Sequence, residues 1–144
     1  MDTQKFIIRQ ISIFSENRPG RLAAIAHALG EEKINILAFS IAEANGFGVV
    51  RALVDKPEKA HDKLQALGFN VAYTDVIAIQ MKDQPGGLYD VAKILGDAGI
   101  NIEYCYAYSG KDGAVLILRV DQVEDAVKKI RNSGATLLER SVFH

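Results

Sequence analysis

The sequence predicts an α+β fold made of two tandem βαββαβ units, each with an antiparallel sheet and both helices on one face. Two observations support this fold class. The 144-residue chain repeats itself internally, and within each copy the hydrophobic pattern alternates between a period of two and helical spacing. A content of 49% hydrophobic and 24% charged residues is typical of a globular protein.

The internal repeat has a constant offset of 66 residues (85 − 19) and needs no gap. The aligned identities include Pro19-Gly20 with Pro85-Gly86, Ile34-Asn35-Ile36 with Ile100-Asn101-Ile102, and Val54-Asp55 with Val120-Asp121. A chance similarity would not keep one offset through so many identities. We therefore expect two domains, residues 1–73 and 74–144, joined with almost no linker.

Each copy has the same predicted order of strands and helices. In the first copy, alternation predicts a strand with Ile11 and Ile13 on its buried face. The predicted strands of that copy are 7–14, 34–42, 49–54 and 70–73, with one helix over 22–29 and another that contains Ala60, Leu64 and Leu67. In the second copy they are strands 76–81, 101–108, 114–120 and 136–142, with helices 88–97 and 123–132.

Short polar and glycine motifs predict where these elements begin and end. Asn17 is the expected N-cap of the first helix, with Pro19 near its first position. Asp55 is the expected cap of the second helix, which Gly68 would end. Asn45-Gly46 is typical of a hairpin turn.

The predicted order is that of the ferredoxin-like fold. Its helices cover one face of the sheet because their apolar stripes need a partner, and we expect the other face to be bare. A unit of about 66 residues buries only about 60% of its unfolded surface and is marginal alone. Packing of two units, or a dimer through the bare faces, would relieve this.

Composition argues against several classes of function. Seventeen Lys and Arg against eighteen Asp and Glu leave a net charge of −1, so no basic surface indicates nucleic acid or an anionic membrane. Cys105 is the one cysteine, and His27, His61 and His144 are far apart in sequence; we expect no disulfide framework, no metal and no cofactor. Neither a signal-peptide pattern nor an apolar run of about 20 residues is present. We expect a cytoplasmic protein.

The segment before the first helix of each copy is the main candidate site. A helix N-terminus presents unpaired N–H groups to an anion, and Gly20 lets a ligand approach the backbone. Asn17 and Asn35 add neutral amides that can meet an ammonium or a carboxylate. Together they suit a zwitterionic amino acid. The alternative is that Asn17 only caps the helix and Asn35 only ends a turn.

These residues resemble the ACT domain family, which shows Asn/Asp-x-Pro-Gly-x-Leu before the first helix and Ile-Asn-Ile at the second strand. The first copy has Asn17–Leu22 with Ile34–Ile36, and the second has Asp83–Leu88 with Ile100–Ile102. The first copy is similar to the serine-sensing regulatory domain of phosphoglycerate dehydrogenase, where the matching asparagines hold the effector across a domain interface.

The resemblance implies a non-enzymatic regulatory protein that binds a free amino acid between ACT units. It also implies a homodimer through those units and an enzyme or regulator, not identified by the sequence, that receives the signal. The expected ligand-binding residues are Asn17, Arg18, Pro19, Gly20, Arg21, Leu22, Asn35, Ile36, Asp83, Gln84, Gly86, Gly87, Leu88, Asn101, Tyr104 and Tyr106. Asp83 replaces the asparagine of the first copy, so the two sites need not be equivalent.

Three tyrosines form a second candidate. Tyr104, Tyr106 and Tyr108 are spaced by two and should share the bare face of a strand. Aromatic side chains in a row indicate an interface or a pocket wall, and solvent exposure is the third alternative. Cys105 would then point under the helices as a small buried residue.

Two other classes of function compete on the same fold. An acylphosphatase-like enzyme would need a glycine-rich anion cradle, whereas Pro19 removes one donor from the loop around Arg18. An RNA-binding module of the RRM kind would stack bases on aromatic residues of its central strands. Those strands, 49–53 and 115–119, contain no aromatic residue.

Overall fold

The computed structural model describes residues 2–110 and 113–144. They divide into two compact units. The first unit comprises Arg9–Thr74 with Phe143–His144, and the second comprises Asp75–Val142 with Met1–Ile8. By contacts, the start of the chain thus belongs with the second half, while the domain boundary at residues 73 and 74 stays a prediction.

The first unit has the predicted βαββαβ order. Its elements are β1 (Ile8–Glu16), α1 (Arg21–Glu31), β2 (Ile36–Ala44), β3 (Phe47–Val54), α2 (Pro57–Ala66) and the start of β4 (Asn70–Met81). β3 lies between β2 and β1 and pairs antiparallel with both. At the start of β4, the Thr74 Oγ1 atom lies 2.9 Å from the Ser12 Oγ atom of β1.

The second unit repeats this order. Its elements are the end of β4, α3 (Gly87–Asp97), β5 (Ile102–Gly110), β6 (Gly113–Val120), α4 (Val123–Asn132) and β7 (Thr136–Leu137). β6 pairs antiparallel with β4 and β5, and β7 pairs with the other side of β4. Both units are therefore ferredoxin-like, as predicted.

Each unit has its own apolar core between the sheet and its two helices. In the first unit, Ile11 and Ile13 meet Ile25, Leu29 and Leu64, so the predicted inward face of β1 is confirmed. In the second unit, strands β4 and β6 supply Ile77, Ile79, Leu116 and Leu118 to the core.

The core of the second unit includes residues from the start of the chain. Phe6 and Ile7 are 5% exposed and belong to that core. The Arg140 Nε atom donates a hydrogen bond to the Ile7 carbonyl oxygen at 2.9 Å, and the Arg131 guanidinium lies 4.8 Å from the centre of the Phe6 ring. The first residues of the chain are thus structural parts of the second unit.

Two predicted helix caps are wrong. Helix α1 begins after Gly20, which has φ +91° and no side-chain cap, because the turn through Pro19 leaves Asn17 three residues before that position. Helix α2 begins after Lys56, with Pro57 as its first residue. The prediction for Gly68 is confirmed, because it has φ +89° just after the end of α2.

Two strand predictions also need correction. The segments 70–73 and 76–81 form one continuous strand, β4, so no break separates the copies there. The predicted strand 136–142 ends at Leu137, and a 3-10 helix follows at Arg140–Val142. The hairpin at Asn45-Gly46 is confirmed, since both residues have positive φ, 54° and 84°.

The sheet face opposite the helices is not bare, contrary to the prediction. Leu53 lies on that face of the first unit, and Ala78 and Ile117 lie on it in the second; all three are 0% exposed. Their strands carry apolar residues on both faces. Cys105, expected to be buried, is exposed: it faces the helix side at Leu118, but it lies on the edge strand, beyond the core residues.

Candidate functional site

The N-terminus of α1 is open. We define the α1 mouth as Asn17–Gly20 together with Arg21. No side chain caps the helix. The Arg21 N–H donates to the Arg18 carbonyl oxygen at 3.1 Å, and the next N–H groups, those of Leu22 and Ala23, remain at the positive end of the helix dipole without a partner among the described residues. A Cβ built on Gly20 would meet no atom within 4 Å. A shallow cavity of about 400 Å³ lies here, lined by Arg18, Pro19, Gly20, Arg21 and Ala24.

The β2–β3 hairpin holds Asn17 in place. The Asn17 backbone N–H donates to the Gly46 carbonyl oxygen of the hairpin at 2.8 Å. A Cβ on Gly48 would lie 3.3 Å from the Asn17 Cβ, so glycine allows the hairpin to pack closely against the loop. The Asn17 side chain is exposed. A small cleft of about 20 Å³ also brings Asn17 together with Arg21, Leu22 and Ile41.

The two arginines of the mouth differ in their partners. The Arg18 Nε atom lies 2.9 Å from a Glu16 carboxylate oxygen, which neutralises much of its charge locally. Arg21 is half-buried and forms no ion pair with any residue that the structure describes. Arg21 is therefore the better placed cation for a ligand carboxylate.

Asn35 lies at the opposite end of α1 from Asn17. Its backbone N–H donates to the Asp55 Oδ1 atom at 3.0 Å, and the Asp55 N–H donates back to the Asn35 carbonyl oxygen at 3.1 Å. Asn17 precedes the helix and Asn35 follows it, and 11 residues rise about 16 Å. One unit alone does not bring the two amides to a common ligand. Ile36, next in sequence, packs against the core.

The corresponding start of α3 has a different structure. Asp83, Gln84 and Gly86 are exposed, whereas Gly87 is buried. The Gln84 N–H donates to the Lys82 carbonyl oxygen at 2.9 Å, and the Gly87 N–H donates to the Gln84 carbonyl oxygen at 3.1 Å. A Cβ on Gly87 would overlap the Lys82 carbonyl oxygen. The loop thus folds against a residue that must be glycine, where the first unit has Arg21.

Comparison with known families decides the assignment. A family model described as an ACT domain pair matches residues 6–140. The chain belongs to the ACT domain pair family. ACT domains are regulatory modules that bind amino acids, and membership supports a regulatory role for this ACT pair.

Solved structures agree with this family. The ACT pair shares 34% identity with a protein from Bacteroides thetaiotaomicron, over 94% of both chains and with a TM-score of 0.90. The regulatory subunit of aspartate kinase from Thermus thermophilus has a TM-score of 0.66 at 15% identity, over 90% of this chain and 95% of that one. Aspartate kinase from Synechocystis has a TM-score of 0.59 at 19% identity, over 96% of this chain and 28% of that one. The last two show the fold. No curated protein matches the sequence.

The tyrosines of the second ACT unit share one face, as predicted. Tyr104, Tyr106 and Tyr108 lie opposite Arg119, Ile117 and Val115 in the β5–β6 register, on the side away from the helices. All three are half-buried, and burial raises the pKa of Tyr108. Leu88 and Asn101 are exposed at opposite ends of α3.

An apolar surface beside α1 was not predicted from the sequence. Leu22, Phe39 and Ile41 are 38%, 53% and 43% exposed. A cavity of about 100 Å³ lies between α1 and β2, and Phe39 and Leu22 form part of its lining. The alternation of Phe39 and Ile41 with small residues was a signal for it. Because β2 is an edge strand, these side chains extend past the helices.

A stack of three side chains was also missed. The His61 and Tyr73 rings lie 4.5 Å apart and nearly parallel, and the Arg9 guanidinium lies 4.5 Å from the centre of the Tyr73 ring. The sequence indicated no partner for His61, and the structure places the Tyr73 ring against it. Burial, and then the nearby Glu58 carboxylate, raise the pKa of Tyr73.

No helix in residues 2–110 and 113–144 is long and apolar enough to cross a membrane. In the same residues, no group of three or more His, Cys, Asp or Glu side chains could hold a metal ion.

Proposed function

We propose that this ACT pair is a non-enzymatic regulatory protein that binds a free amino acid at the α1 mouth. The observation that carries the proposal is the uncapped N-terminus of α1, whose N–H groups suit a carboxylate. Arg21 adds an unpaired positive charge, and the Asn17 amide can accept a bond from the ligand ammonium.

The second amide, Asn35, comes from a neighbouring ACT unit in this proposal. Within one unit, Asn17 and Asn35 lie at opposite ends of an 11-residue helix. A second copy of the chain, lying antiparallel beside α1 and β2, would bring its Asn35 to the Asn17 of the first. The exposed apolar side chains of Phe39 and Ile41 support contact along this edge. Ligand binding would then favour the dimer, which is how the signal reaches an enzyme or regulator.

The remaining predicted residues have different places in this proposal. Arg18, Pro19 and Gly20 form walls of the α1 mouth, Leu22 lines the small cleft beside Asn17, and Ile36 supports Asn35. The likeness to a serine-sensing domain stays a prediction, as do ligand contacts at Asp83, Gln84, Gly86, Leu88 and Asn101. Tyr104 and Tyr106 are proposed to line an interface or pocket of the second unit.

A binding experiment tests the proposal. The twenty standard amino acids are screened by thermal shift on the full chain, and each one that stabilises it is titrated by calorimetry. Asn17→Ala should weaken binding about tenfold, the effect of losing one good polar contact. Asn132→Ala, an exposed asparagine at the end of α4, is the control and should bind normally.

Mixed dimers test the second copy. Asn17→Ala and Asn35→Ala chains should each bind weakly alone. When the two are mixed, each dimer that contains one chain of each kind should recover one normal site, while the remaining homodimers recover none. No stabilisation by any amino acid would contradict the proposal. If Asn17→Ala and the wild type bind with equal affinity, the ligand does not bind at the α1 mouth. If the mixture recovers no binding, the site is not shared between two chains.

A further inference from the structure

A second cavity lies beside the start of α3, on the side facing the α4–β7 turn. Its volume is about 330 Å³, within the range of ligand-binding pockets. Its lining includes Met81, Lys82, Gly87, Asp90, Val91 and Ala135. All these residues belong to the second unit. We call this space the α3 side cavity.

The internal repeat explains why the cavity exists. At the offset of 66 residues, Gly87 corresponds to Arg21, and Ala135 corresponds to Phe69. Phe69 is half-buried and packs against the core of the first unit. The second unit therefore lacks two bulky side chains at this corner. No larger residue can take the place of Gly87, since a Cβ there would overlap the Lys82 carbonyl oxygen.

The lining combines apolar walls with two opposite charges. Met81, Val91 and Ala135 supply the apolar surface, Lys82 a positive charge and Asp90 a negative one. Neither charged group forms an ion pair with another residue in the part of the chain that the structure describes. Both are therefore available to a ligand that carries the complementary charges.

We propose that the α3 side cavity binds a small zwitterion of the α-amino acid class, at a site separate from the α1 mouth. The Asp90 carboxylate accepts hydrogen bonds from the ligand ammonium, and the Lys82 ammonium donates to the ligand carboxylate. The apolar walls take up the ligand side chain. The two halves of the chain then bind ligands at different corners of the same fold.

The experiment uses the full chain with Asn17→Ala, which weakens binding at the α1 mouth about tenfold, and the twenty amino acids as probes. At least one should stabilise this protein in a thermal shift assay and bind with a stoichiometry of one per chain by calorimetry. Adding Ala135→Phe, which restores the bulky residue found in the first unit, should abolish that binding. Asp90→Asn should weaken it about tenfold.

Asp125→Asn is the matched control, because Asp125 is an exposed carboxylate in the first turn of the neighbouring helix α4. It should bind as the Asn17→Ala chain does. If Ala135→Phe does not fold, as judged by circular dichroism, the exposed Asp90→Asn substitution decides the result. Absence of binding in the Asn17→Ala chain, or unchanged affinity with Asp90→Asn, would overturn the proposal.

The same data separate this proposal from the function of the α1 mouth. If the wild type binds one amino acid, and Asp90→Asn lowers the affinity for it whereas Asn17→Ala does not, the α3 side cavity is supported and the α1 mouth fails. If Asn17→Ala weakens all binding about tenfold and Asp90→Asn leaves the affinity unchanged, the α3 side cavity fails and the α1 mouth stands.

Discussion

Replacing Asp55 by alanine separates the structural role of the Asn35 junction from its role in binding. The Asp55 carboxylate accepts the Asn35 N–H at 3.0 Å, while the two backbones are joined by a second hydrogen bond of 3.1 Å. Asp55→Ala removes only the first. The start of β2 would then be held less firmly, and the Asn35 amide with it.

The size of the effect follows from the exposure of the site. A hydrogen bond to a charged group contributes about 1.5–3 kcal/mol. Because Asn35 is exposed, water can replace the lost acceptor, and we expect a loss near the lower limit, about 1.5 kcal/mol. Asp55→Asn keeps an oxygen acceptor and should lose about half as much. Urea unfolding at constant m-value measures both.

The internal repeat supplies the control. The Asp121 carboxylate accepts a hydrogen bond from the Asn101 N–H at 3.0 Å, and the Asp121 backbone N–H donates to the Asn101 carbonyl oxygen at 3.2 Å. Asp121→Ala should therefore lower the free energy of unfolding by a similar amount, yet leave amino-acid binding at the α1 mouth unchanged. Asp55→Ala should weaken that binding severalfold. Equal affinities of the two variants, or full stability of Asp55→Ala, would refute the reasoning.

Three further substitutions have defined outcomes. Leu64→Ala removes a side chain that is 0% exposed and should cost about 2–5 kcal/mol in urea unfolding; a loss below that range would mean that the core refills the space. In Gly68→Ala the added methyl group would meet no atom, but Gly68 has φ +89°, a backbone conformation that is unfavourable for alanine. Calorimetry should show a loss of about 1–2 kcal/mol in the free energy of unfolding. Burial raises the pKa of Tyr108, so its contribution to stability is complete below pH 10 and is lost as the pH rises through the folded-state pKa. Tyr108→Phe should reduce this loss of stability at alkaline pH, which urea unfolding below and above pH 10 measures.

Much of the fold could be predicted from the repeat and its periodicity. Apolar spacing predicted the four α-helices of the described residues, because the apolar stripe of each helix, such as the one that includes Leu64, has to pack against the sheet. Helix starts were less predictable. Asn17 and Asp55 have good capping side chains, but Gly20 and Lys56 are the N-caps. Pro19 and Pro57 fix φ near those positions and move the start of each helix along the chain.

The candidate site was less predictable than the fold. The motif identified the residues around Asn17 and Asn35, but the distance between them depends on the length and direction of α1. Exposure of Phe39 depends on β2 being an edge strand, which alternation within one strand does not reveal. The α3 side cavity needs the close approach of the Lys82 carbonyl to Gly87, a backbone contact with no pattern of its own in the sequence.

The placement of Phe6 and Ile7 in the second core has a consequence for synthesis of the protein. These residues leave the ribosome before their partners in α4 and β7, which follow more than one hundred residues later. At about 5–20 residues per second, the interval is roughly ten seconds. The second unit therefore completes its core only after α4 and β7 have been synthesised, and until then the apolar side chains of Phe6 and Ile7 lack these native partners.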